Sequence, residues 1–348
     1  MPLPELTQRE RRVLEAVIVR YVETAEPAGS RTISRSFGLG VSPATIRNTM
    51  SDLEEKGYLF HPHTSAGRVP TDMAYRVYVD SLIHAPRVNR DGVDLLNEQL
   101  SAPGTSAIET ILRRAAQSLS IVTQELGVAL GPSLDNARLS RLELIRVSQE
   151  RLLLLLTLEG GAVRTIFVEV AGQMADSALT EVMLVLNQRL GGLTLREIRQ
   201  SLNDRLRDST ATAGARELLN VFVQEGDTLF DLSLGAEDGG VVLGQASVLA
   251  EQPEFTSGEG MRKLLDLTER KTHLAELLRT RSSSPNISIT IGNEHGDPRL
   301  EAFTIVTAEY TIGALTGVIG VIGPTRMPYD KVIALVRHTS VLVSDILQ

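Results

Sequence analysis

Apolar side chains in the first 25 residues recur at intervals of three and four, which is the spacing of one face of an α-helix. Thr7 and Glu10 precede this stripe as a capping-box pair, because the hydroxyl and the carboxylate can each accept a hydrogen bond from a free backbone N–H at the helix start. Residues 26–29 then break the period. The pattern therefore predicts a first helix whose inward face carries Val13, Leu14, Val17, Ile18, Tyr21 and Val22.

A second, shorter helix is predicted after this break. Ser30 is expected to cap it, with Ile33 and Phe37 facing inward. Gly38 and Gly40 supply the left-handed backbone conformations that a tight turn requires. Together with the third helix described next, these two helices and the glycine-containing turn favour a helix-turn-helix.

The third helix has the clearest start. Ser42 is a favourable N-cap, and Pro43 occupies the first helical position, where its missing N–H costs nothing. Ile46, Met50 and Leu53 are predicted to face inward. An arginine can pair with guanine, an asparagine with adenine, and an alanine or threonine methyl can touch thymine. We therefore assign base readout to the opposite face, which carries Ala44, Thr45, Arg47, Asn48 and Ser51.

Residues 60–69 show the pattern strand, turn, strand, with Gly67 expected to permit the turn. A helix-turn-helix followed by such a wing places one helix in the major groove of DNA, while the wing contacts phosphates or the minor groove. Arg68 is the expected wing-tip contact, and Thr71 is expected to cap a fourth helix. Residues 1–85 are thus predicted to form a winged-helix DNA-binding domain. Its predicted phosphate and wing contacts are Ser30, Arg31, Thr32, His61, His63, Thr64, Ser65 and Arg68.

The rest of the chain alternates between blocks of strands and helices. Residues 86–104 are polar and loop-prone, which predicts a linker. Strand-like runs at 139–147, 151–158 and 163–170 indicate a β-meander. This order predicts either one α+β domain interrupted by an insertion or two consecutive α+β domains. Further predicted elements are helices at 178–190, 195–206, 215–230 and 331–347, and strands at 287–291, 300–310 and 313–322.

Charge argues mildly against a nucleic-acid partner. The chain has a formal net charge of −8, and residues 1–90 hold 12 basic and 10 acidic side chains. A cluster of cations on the groove side can offset this weak field, and a dimer doubles the contacts. Glu54 and its acidic neighbours must then point away from the groove. The cations available for such a cluster are Arg31, Arg35, Arg47 and Arg68.

Motifs that carry catalysis are missing from the sequence. It contains no phosphate-binding G-x-x-x-x-G-K-[ST] loop and no G-x-S-x-G nucleophile elbow. It also contains no cysteine, which excludes thiolate zinc sites and thiol nucleophiles. His61 and His63 could ligate a metal, but Pro62 and the lack of further ligands nearby favour a wing surface. We therefore expect no enzyme, no cofactor and no metal.

Neither end of the sequence suggests export or a membrane. The first ten residues lack the basic-then-apolar pattern of a signal peptide. The longest apolar runs are too short to span a bilayer. We expect a cytoplasmic protein without membrane contact.

Two long segments and one short one resemble a known family. VSPATIRNTMSDLEEKGYLFHPHTSAGRVPTDMAYRVYVD, at 41–80, resembles the winged-helix segment of HrcA, the bacterial heat-inducible transcription repressor family. IGVIGPTRMPYDKVIALV, at 319–336, resembles its C-terminal signature, and EQPEF, at 251–255, is similar to another of its stretches. The resemblance covers both ends and, more weakly, the middle of the chain.

The resemblance implies an α+β multidomain fold. The winged helix of 1–85 would be followed by the linker at 86–104 and by a GAF-like domain in two segments, 105–170 and 251–348. An inserted dimerisation domain would occupy 171–250.

The resemblance also implies a function. It indicates a homodimer that represses heat-shock chaperone operons from an inverted-repeat operator, is kept active by a GroEL-type chaperonin and is inactivated on heating. Two alternatives remain open on the sequence. One is a metabolite-responsive regulator whose GAF-like domain binds a ligand, and the other is a scaffold whose N-terminal domain binds protein.

Overall fold

The computed structural model describes residues 4–63, 66–83, 90–100, 108–132, 134–159, 163–170, 175–207, 212–230, 240–281, 287–313 and 315–347. The protein is α+β and divides into two compact units. Unit 1 consists of Met1–Leu130, Val241–Tyr310 and Val318–Leu347, and unit 2 consists of Gly131–Gly240 and Thr311–Gly317. None of the helices in the described ranges is both long and apolar enough to cross a bilayer.

The helices are, in chain order, α1 Gln8–Thr24, α2 Ser30–Phe37, α3 Pro43–Glu55, α4 Asp72–Ile83, α5 Arg90–Leu100, α6 Ile108–Thr123, α7 Asp176–Leu190, α8 Leu195–Arg207, α9 Ala213–Leu229, α10 Ser247–Ala250, α11 Gly258–Glu269, α12 Lys271–Arg279 and α13 Tyr329–Leu347. The strands are β1 Leu59–Phe60, β2 Val69–Pro70, β3 Leu126–Leu130, β4 Leu139–Arg146, β5 Arg151–Leu158, β6 Val163–Glu169, β7 Val241–Leu243, β8 Ser288–Ile291, β9 Phe303–Ile312 and β10 Leu315–Pro324.

Residues 4–83 of unit 1, which we call the N-terminal module, begin with three helices and a two-stranded antiparallel sheet. The predicted capping box is confirmed, since Thr7 N donates to Glu10 Oε2 at 2.7 Å and Glu10 N donates to Thr7 Oγ1 at 3.3 Å. The prediction that Ser30 caps α2 is wrong. Gly29 is the N-cap and makes no side-chain hydrogen bond, because the helix already includes Ser30.

The turns of the module follow the sequence. Gly38 and Gly40 have φ angles of +52° and +73°, as the predicted left-handed turn requires. Thr71 precedes α4, and its Oγ1 accepts a hydrogen bond from Ala74 N at 3.4 Å. The fourth helix is therefore capped by the residue expected to cap it.

The rest of unit 1 is built on a five-stranded sheet in the order β7-β3-β10-β9-β8. Strand β3 lies between β7 and β10 and is antiparallel to both, with Val128 opposite Leu243 on one side and Gly320 on the other. We did not predict β3. All five of its residues are buried, so it lacks the alternation of apolar and polar positions that identifies a half-exposed strand.

The predicted linker at 86–104 contains a helix. Residues of α5 are spaced so that Leu96 and Leu100 fall on one side, and both are buried, at 0% and 6% exposure. This side packs on α6 and α13. The polar composition of this segment suggested a loop. It forms a helix because Leu96 and Leu100, at helical spacing, pack on neighbouring elements and this packing stabilises the helix.

Unit 2 is an antiparallel meander, β4-β5-β6, covered by helices α7, α8 and α9. The three strands and the three helices predicted from periodicity are confirmed. The inward side of β5 carries leucine at every second position, and all four are buried: Leu152, Leu154, Leu156 and Leu158. The insertion predicted at 171–250 covers only the helical part of this unit, because the strands bury their leucines against those helices.

Candidate nucleic-acid interface

The two faces of α3 separate as the sequence predicts. Ile46, Met50 and Leu53 are buried and pack into the core of the N-terminal module. A ligand can reach the opposite face without any rearrangement of the helix. On that face Ala44, Arg47 and Asn48 are exposed, and Thr45 and Ser51 are half-buried.

The start of α3 is held by side-chain hydrogen bonds. Ser42 Oγ accepts a hydrogen bond from Thr45 N at 3.1 Å and lies 3.0 Å from Thr45 Oγ1. One turn later, Thr49 Oγ1 donates to Thr45 O at 3.1 Å. The hydroxyl of Thr45 thus takes part in the cap at the start of α3.

A cleft of about 500 Å³ opens on the surface of the module. Its walls come from the start of α2, the exposed face of α3 and the residues just before β2. Thr32 and Arg35 are exposed on α2 but do not line the cleft. Three predicted base contacts and three predicted phosphate contacts therefore share one concave surface, whereas Thr45, Ser51, His61 and His63 do not line it. Its lining residues with hydrogen-bonding side chains are Ser30, Arg31, Arg47, Asn48 and Arg68.

The β1–β2 hairpin is attached to the rest of the module by a short backbone bridge. Ala28 N donates to Arg68 O at 2.8 Å, and Arg68 N donates to Ala28 O at 2.9 Å. Gly67 is needed for this approach, because a Cβ there would lie 2.5 Å from the carbonyl of Ala28. We expected Gly67 to adopt a left-handed turn conformation, but its φ angle is not positive. Close packing of two backbones is the reason for a glycine at this position.

Arg68 lies at the base of the hairpin and not at its tip. Its Nη2 is 2.7 Å from Glu54 Oε2, and its side chain is 14% exposed. His61 Nδ1 is 2.6 Å from the other carboxylate oxygen of Glu54. The expectation that Glu54 points away from the groove-side arginines is wrong at Arg68, since its carboxylate contacts both Arg68 and His61. A phosphate would have to compete with this carboxylate for Arg68.

Of the remaining hairpin residues predicted to contact DNA, only His63 can be placed. It is exposed. Thr64 and Ser65 lie outside the described residues. Within the described ranges, no group of three or more His, Asp or Glu side chains is arranged to hold a metal ion.

One partly exposed ion pair of the module escaped sequence reasoning. Lys56 Nζ, just after α3, is 2.7 Å from Glu10 Oε1 on α1 and 3.0 Å from Glu5 O. The hydrogen bond from Lys56 is the largest cause of a lowered pKa at Glu10. Because Glu10 is also the acidic partner of the capping box, this pair ties the start of α1 to the end of α3. A 46-residue separation leaves no local signal for it.

Comparisons with known proteins cover nearly the whole chain. The profile described as the HrcA protein C-terminal domain matches residues 109–333. The heat-inducible transcription repressor HrcA of Chlorobium phaeobacteroides (strain BS1) is 40% identical over 349 residues, covering 97% of this chain and 97% of that protein. The protein of the same name from Geobacter sulfurreducens is 36% identical over 349 residues, covering 99% of each. A crystal structure described as a hypothetical protein shares the fold, with a TM-score of 0.61, 22% identity and 99% coverage of both chains.

Proposed function

Because this chain belongs to the family of the heat-inducible transcription repressor HrcA, we propose that it is a sequence-specific repressor that binds double-stranded DNA as a homodimer. Its operator is an inverted repeat upstream of heat-shock chaperone operons, and the bound protein blocks the promoter. One observation carries this proposal. The cleft of the N-terminal module brings Arg31, Arg47 and Asn48 to a single exposed surface.

In this proposal the N-terminal module is a winged helix whose α3 enters the major groove. Arg47 and Asn48 carry the readout of guanine and adenine, with smaller contributions from Ala44, Thr45 and Ser51. Arg31 and the hydroxyl of Ser30 face the phosphates along the groove edge. Since α3 keeps its apolar side in the core, its outward side is free to lie along base edges. The hairpin residues His61, His63 and Arg68 and the exposed Thr32 contribute phosphate contacts, Arg68 only after exchanging Glu54 for a phosphate.

We assign dimerisation to unit 2, which presents an apolar sheet face to solvent. Ile145 of β4 lies opposite Leu153 of β5, which lies opposite Phe167 of β6, so one apolar row crosses the sheet. Ile145 and Phe167 are 47% and 56% exposed, and Val147 and Val163 are also exposed. A contiguous apolar patch of this kind marks an interaction surface. Two copies related by a two-fold axis would cover it with the same residues from both sides.

The five-stranded sheet of unit 1 and its helices correspond in this proposal to the GAF-like domain. The inserted dimerisation domain is the part of the chain between its two segments. We place the three strands of the meander in that insertion, together with the helices of 171–250, because they form one hydrophobic core.

Regulation by heat follows from marginal stability. Proteins are held by roughly 5–15 kcal/mol, so a loss of about 1–2 kcal/mol changes the folded population several-fold. A GroEL-type chaperonin that refolds the repressor would keep operators occupied, and its diversion to other unfolded proteins on heating would release them. This partner rests on the family resemblance alone.

The test is a footprint of the full-length protein on chaperone promoters of its own organism. We then compare the wild type with an Arg47→Ala, Asn48→Ala double variant on the protected sequence. The double variant is expected to lose discrimination between operator and scrambled DNA while remaining a folded dimer. Each bidentate contact contributes about 1–3 kcal/mol, so the loss is on the order of tenfold or more per residue. Arg113→Ala, an exposed arginine on α6, is the matched control.

The outcomes separate the candidate functions. Unchanged operator affinity in the double variant contradicts the reading face on α3. A wild-type protein that protects no promoter and binds no inverted repeat contradicts the repressor and leaves the protein-binding scaffold.

A ligand-responsive version of the repressor is favoured by one cavity in unit 1. It has a volume of about 230 Å³ and lies between α11, α12 and the residues before β9. Its lining includes apolar Leu267, Leu274 and Leu300 together with the cations Lys263 and Arg270 and the acidic Asp266. Such a lining suits a small apolar acid. A metabolite that raises the melting temperature and also changes operator affinity would support this version. If none of the compounds tested shifts the melting temperature, this version is rejected.

A further inference from the structure

Two segments that carry the family resemblance have no part in DNA contact. EQPEF at 251–255 lies just before α11, and PTRMPY at 324–329 connects β10 to α13. The structure brings them together in unit 1, where Arg326 forms an ion pair with Glu254. Their meeting point lies directly against the N-terminal module.

Arg326 joins three parts of unit 1 with one guanidinium group. Its Nε donates to Glu254 Oε1 at 2.7 Å, and its Nη2 donates to Glu254 Oε2 at 3.1 Å. Its Nη1 donates to the backbone carbonyl of Val22 at 2.6 Å. Val22 lies in the last turn of α1, and Arg326 is 13% exposed on its side chain. The planar fork thus fixes the end of α1 relative to the loop before α13.

A second polar contact joins α4 to the short helical turn after β8. Arg76 Nε donates to Glu294 Oε1 at 2.7 Å, and its Nη2 donates to Ile289 O at 2.8 Å. Asp72 Oδ2 accepts hydrogen bonds from the backbone N and the side-chain Nδ2 of Asn293, both at 2.9 Å. These contacts fix the start and middle of α4.

The close approach at Asp72 depends on the residue before Asn293. Gly292 has a φ of +50°, and a Cβ there would lie 2.2 Å from the Asp72 carboxylate. Only a glycine accommodates both the backbone conformation and the neighbouring side chain. The chain is therefore shaped to bring this carboxylate against the turn.

Between the two polar contacts lies one aromatic anchor. Tyr75 of α4 is buried, and its ring centroid is 5.7 Å from that of Tyr329 at the start of α13. Beside this anchor a cleft of about 550 Å³ remains open, lined in part by Phe60 and Met73. Apolar packing is non-directional, so this aromatic contact alone leaves the angle of the module free. The polar contacts on either side of Tyr75 remove that freedom.

We propose that Arg326, Glu254, Arg76 and Glu294 are positioning residues that set the orientation of the reading helix relative to the rest of unit 1. They determine which spacing between half-sites the dimer accepts, without touching DNA. This inference rests on the proposed function and adds the determinant of operator geometry to it. A dimer gains affinity for two half-sites only when both reading helices are held at the matching separation and angle.

The experiment uses the full-length protein and synthetic duplexes. One set carries the footprinted inverted repeat with its spacer lengthened or shortened one base pair at a time, and a second carries a single half-site. The variants are Arg326→Gln, Arg326→Lys and Glu294→Gln. Arg113→Gln, which removes an exposed ion pair on α6, is the matched control. Melting temperature and sedimentation establish that each variant is a folded dimer.

We expect Arg326→Gln to bind the single half-site within about twofold of the wild type and to lose about tenfold in affinity at the best spacer. Its affinity should depend less on spacer length than that of the wild type. Arg326→Lys is expected to behave almost as badly, because one ammonium group does not reproduce the fork shared by Glu254 and Val22. Glu294→Gln tests the same inference independently, should Arg326→Gln not fold.

Equal losses on the half-site and on every spacer overturn the inference, since they indicate a damaged reading face and not a lost orientation. A spacer profile identical to that of the wild type in folded Arg326→Gln and Glu294→Gln also overturns it. A wild-type protein that binds no inverted repeat refutes the proposed function itself, which separates the two failures.

Discussion

The two units of this protein bury different kinds of side chains. Every buried polar or charged residue among those described belongs to unit 1, including Glu10, Thr49, Glu125 and Thr339. The core of unit 2 is formed by apolar side chains, most of them leucine. Apolar packing is non-directional, whereas a buried polar group is stable only when its partner lies at the right distance and angle. Directional polar contacts therefore restrict the packing geometry of unit 1 more than that of unit 2.

Their outer surfaces differ in the same sense. The N-terminal module of unit 1 presents Arg47 and Asn48, while the sheet of unit 2 presents Ile145 and Phe167. A polar surface on a directionally fixed module suits a partner that is read by hydrogen bonds. An apolar surface on a leucine-packed sheet suits a second copy of the same surface. Directional polar contacts thus lie in the unit that carries the proposed DNA contact, and non-directional apolar packing lies in the unit that carries the proposed dimer contact.

The largest expected effect comes from opening the core of unit 2. Leu186→Ala on α7 removes a fully buried side chain. Such truncations cost about 2–5 kcal/mol, because the cavity is only partly refilled. Denaturant unfolding followed by circular dichroism should show this loss. Leu184→Ala on the same helix, 58% exposed, is the control and should change stability by less than about 0.5 kcal/mol. Equal effects of the two would show that unit 2 does not depend on this core.

The next effect concerns the exposed face of the same unit. Phe167→Asp places a charge in the apolar row on the meander, where it would be buried between two copies. We expect dimerisation to weaken by about 2 kcal/mol or more, with folding retained. Sedimentation equilibrium over a range of concentrations measures it. Leu265→Asp on α11, whose parent side chain is exposed to a similar extent, should leave the dimer intact. A Phe167→Asp protein that stays dimeric moves the interface elsewhere.

A smaller effect is expected from the directional contacts of unit 1. Ser42→Ala removes the side-chain acceptor at the start of α3. Loss of a single N-cap costs about 1 kcal/mol. The melting temperature should fall accordingly, and operator affinity with it, because the first turn of α3 frays. Ser36→Ala, on the exposed side of α2, controls for the loss of a hydroxyl. If the two variants melt together, capping contributes nothing to the module.

The smallest effect is expected from a substitution at Glu125. It is negligible at acidic pH and grows as the pH rises. Burial raises the pKa of this carboxyl well above its usual range, although Gln252 donates a hydrogen bond to it and opposes the shift. The folded protein thus holds a proton that the unfolded chain releases. Stability from this group is present below the unfolded pKa and is lost as pH rises through the folded one.

Glu125→Gln removes that dependence. Its melting temperature should approach that of the wild type near pH 4 and exceed it progressively toward pH 8. Melting curves at one-unit intervals measure the difference. Parallel curves for the two proteins would show that the pKa of Glu125 does not differ between the folded and the unfolded protein.

Local signals were sufficient for the caps of α1, α3 and α4 and for the exposed face of α3, but not for the cap of α2. Thr7, Ser42 and Thr71 cap the helices that they were expected to cap, because a cap contacts atoms only two or three residues away. Arg47 and Asn48 are exposed because Ile46 and Met50 are buried, and both facts follow from the helical period. Hence this part of the candidate interface could be predicted from the sequence.

Other features needed the tertiary structure. Strand β3 is buried on both faces and has no alternation, and α5 is stabilised by packing of its two buried leucines on α6 and α13. The position of Arg68 at the base of the hairpin depends on Glu54 and on the bridge to Ala28. The three strands of the meander belong to unit 2 because they share one hydrophobic core with its helices.

By itself, the sequence determined the capped helices, the meander and the polar face of α3, since each rests on contacts between residues of one element or of neighbouring elements. Only the tertiary structure decided how α3 is oriented. Arg326 contacts a carbonyl 304 residues away, and Arg76 contacts a carboxylate 218 residues away. Such pairs produce no periodic pattern in the sequence, because residues so far apart come into contact only when the whole fold has formed.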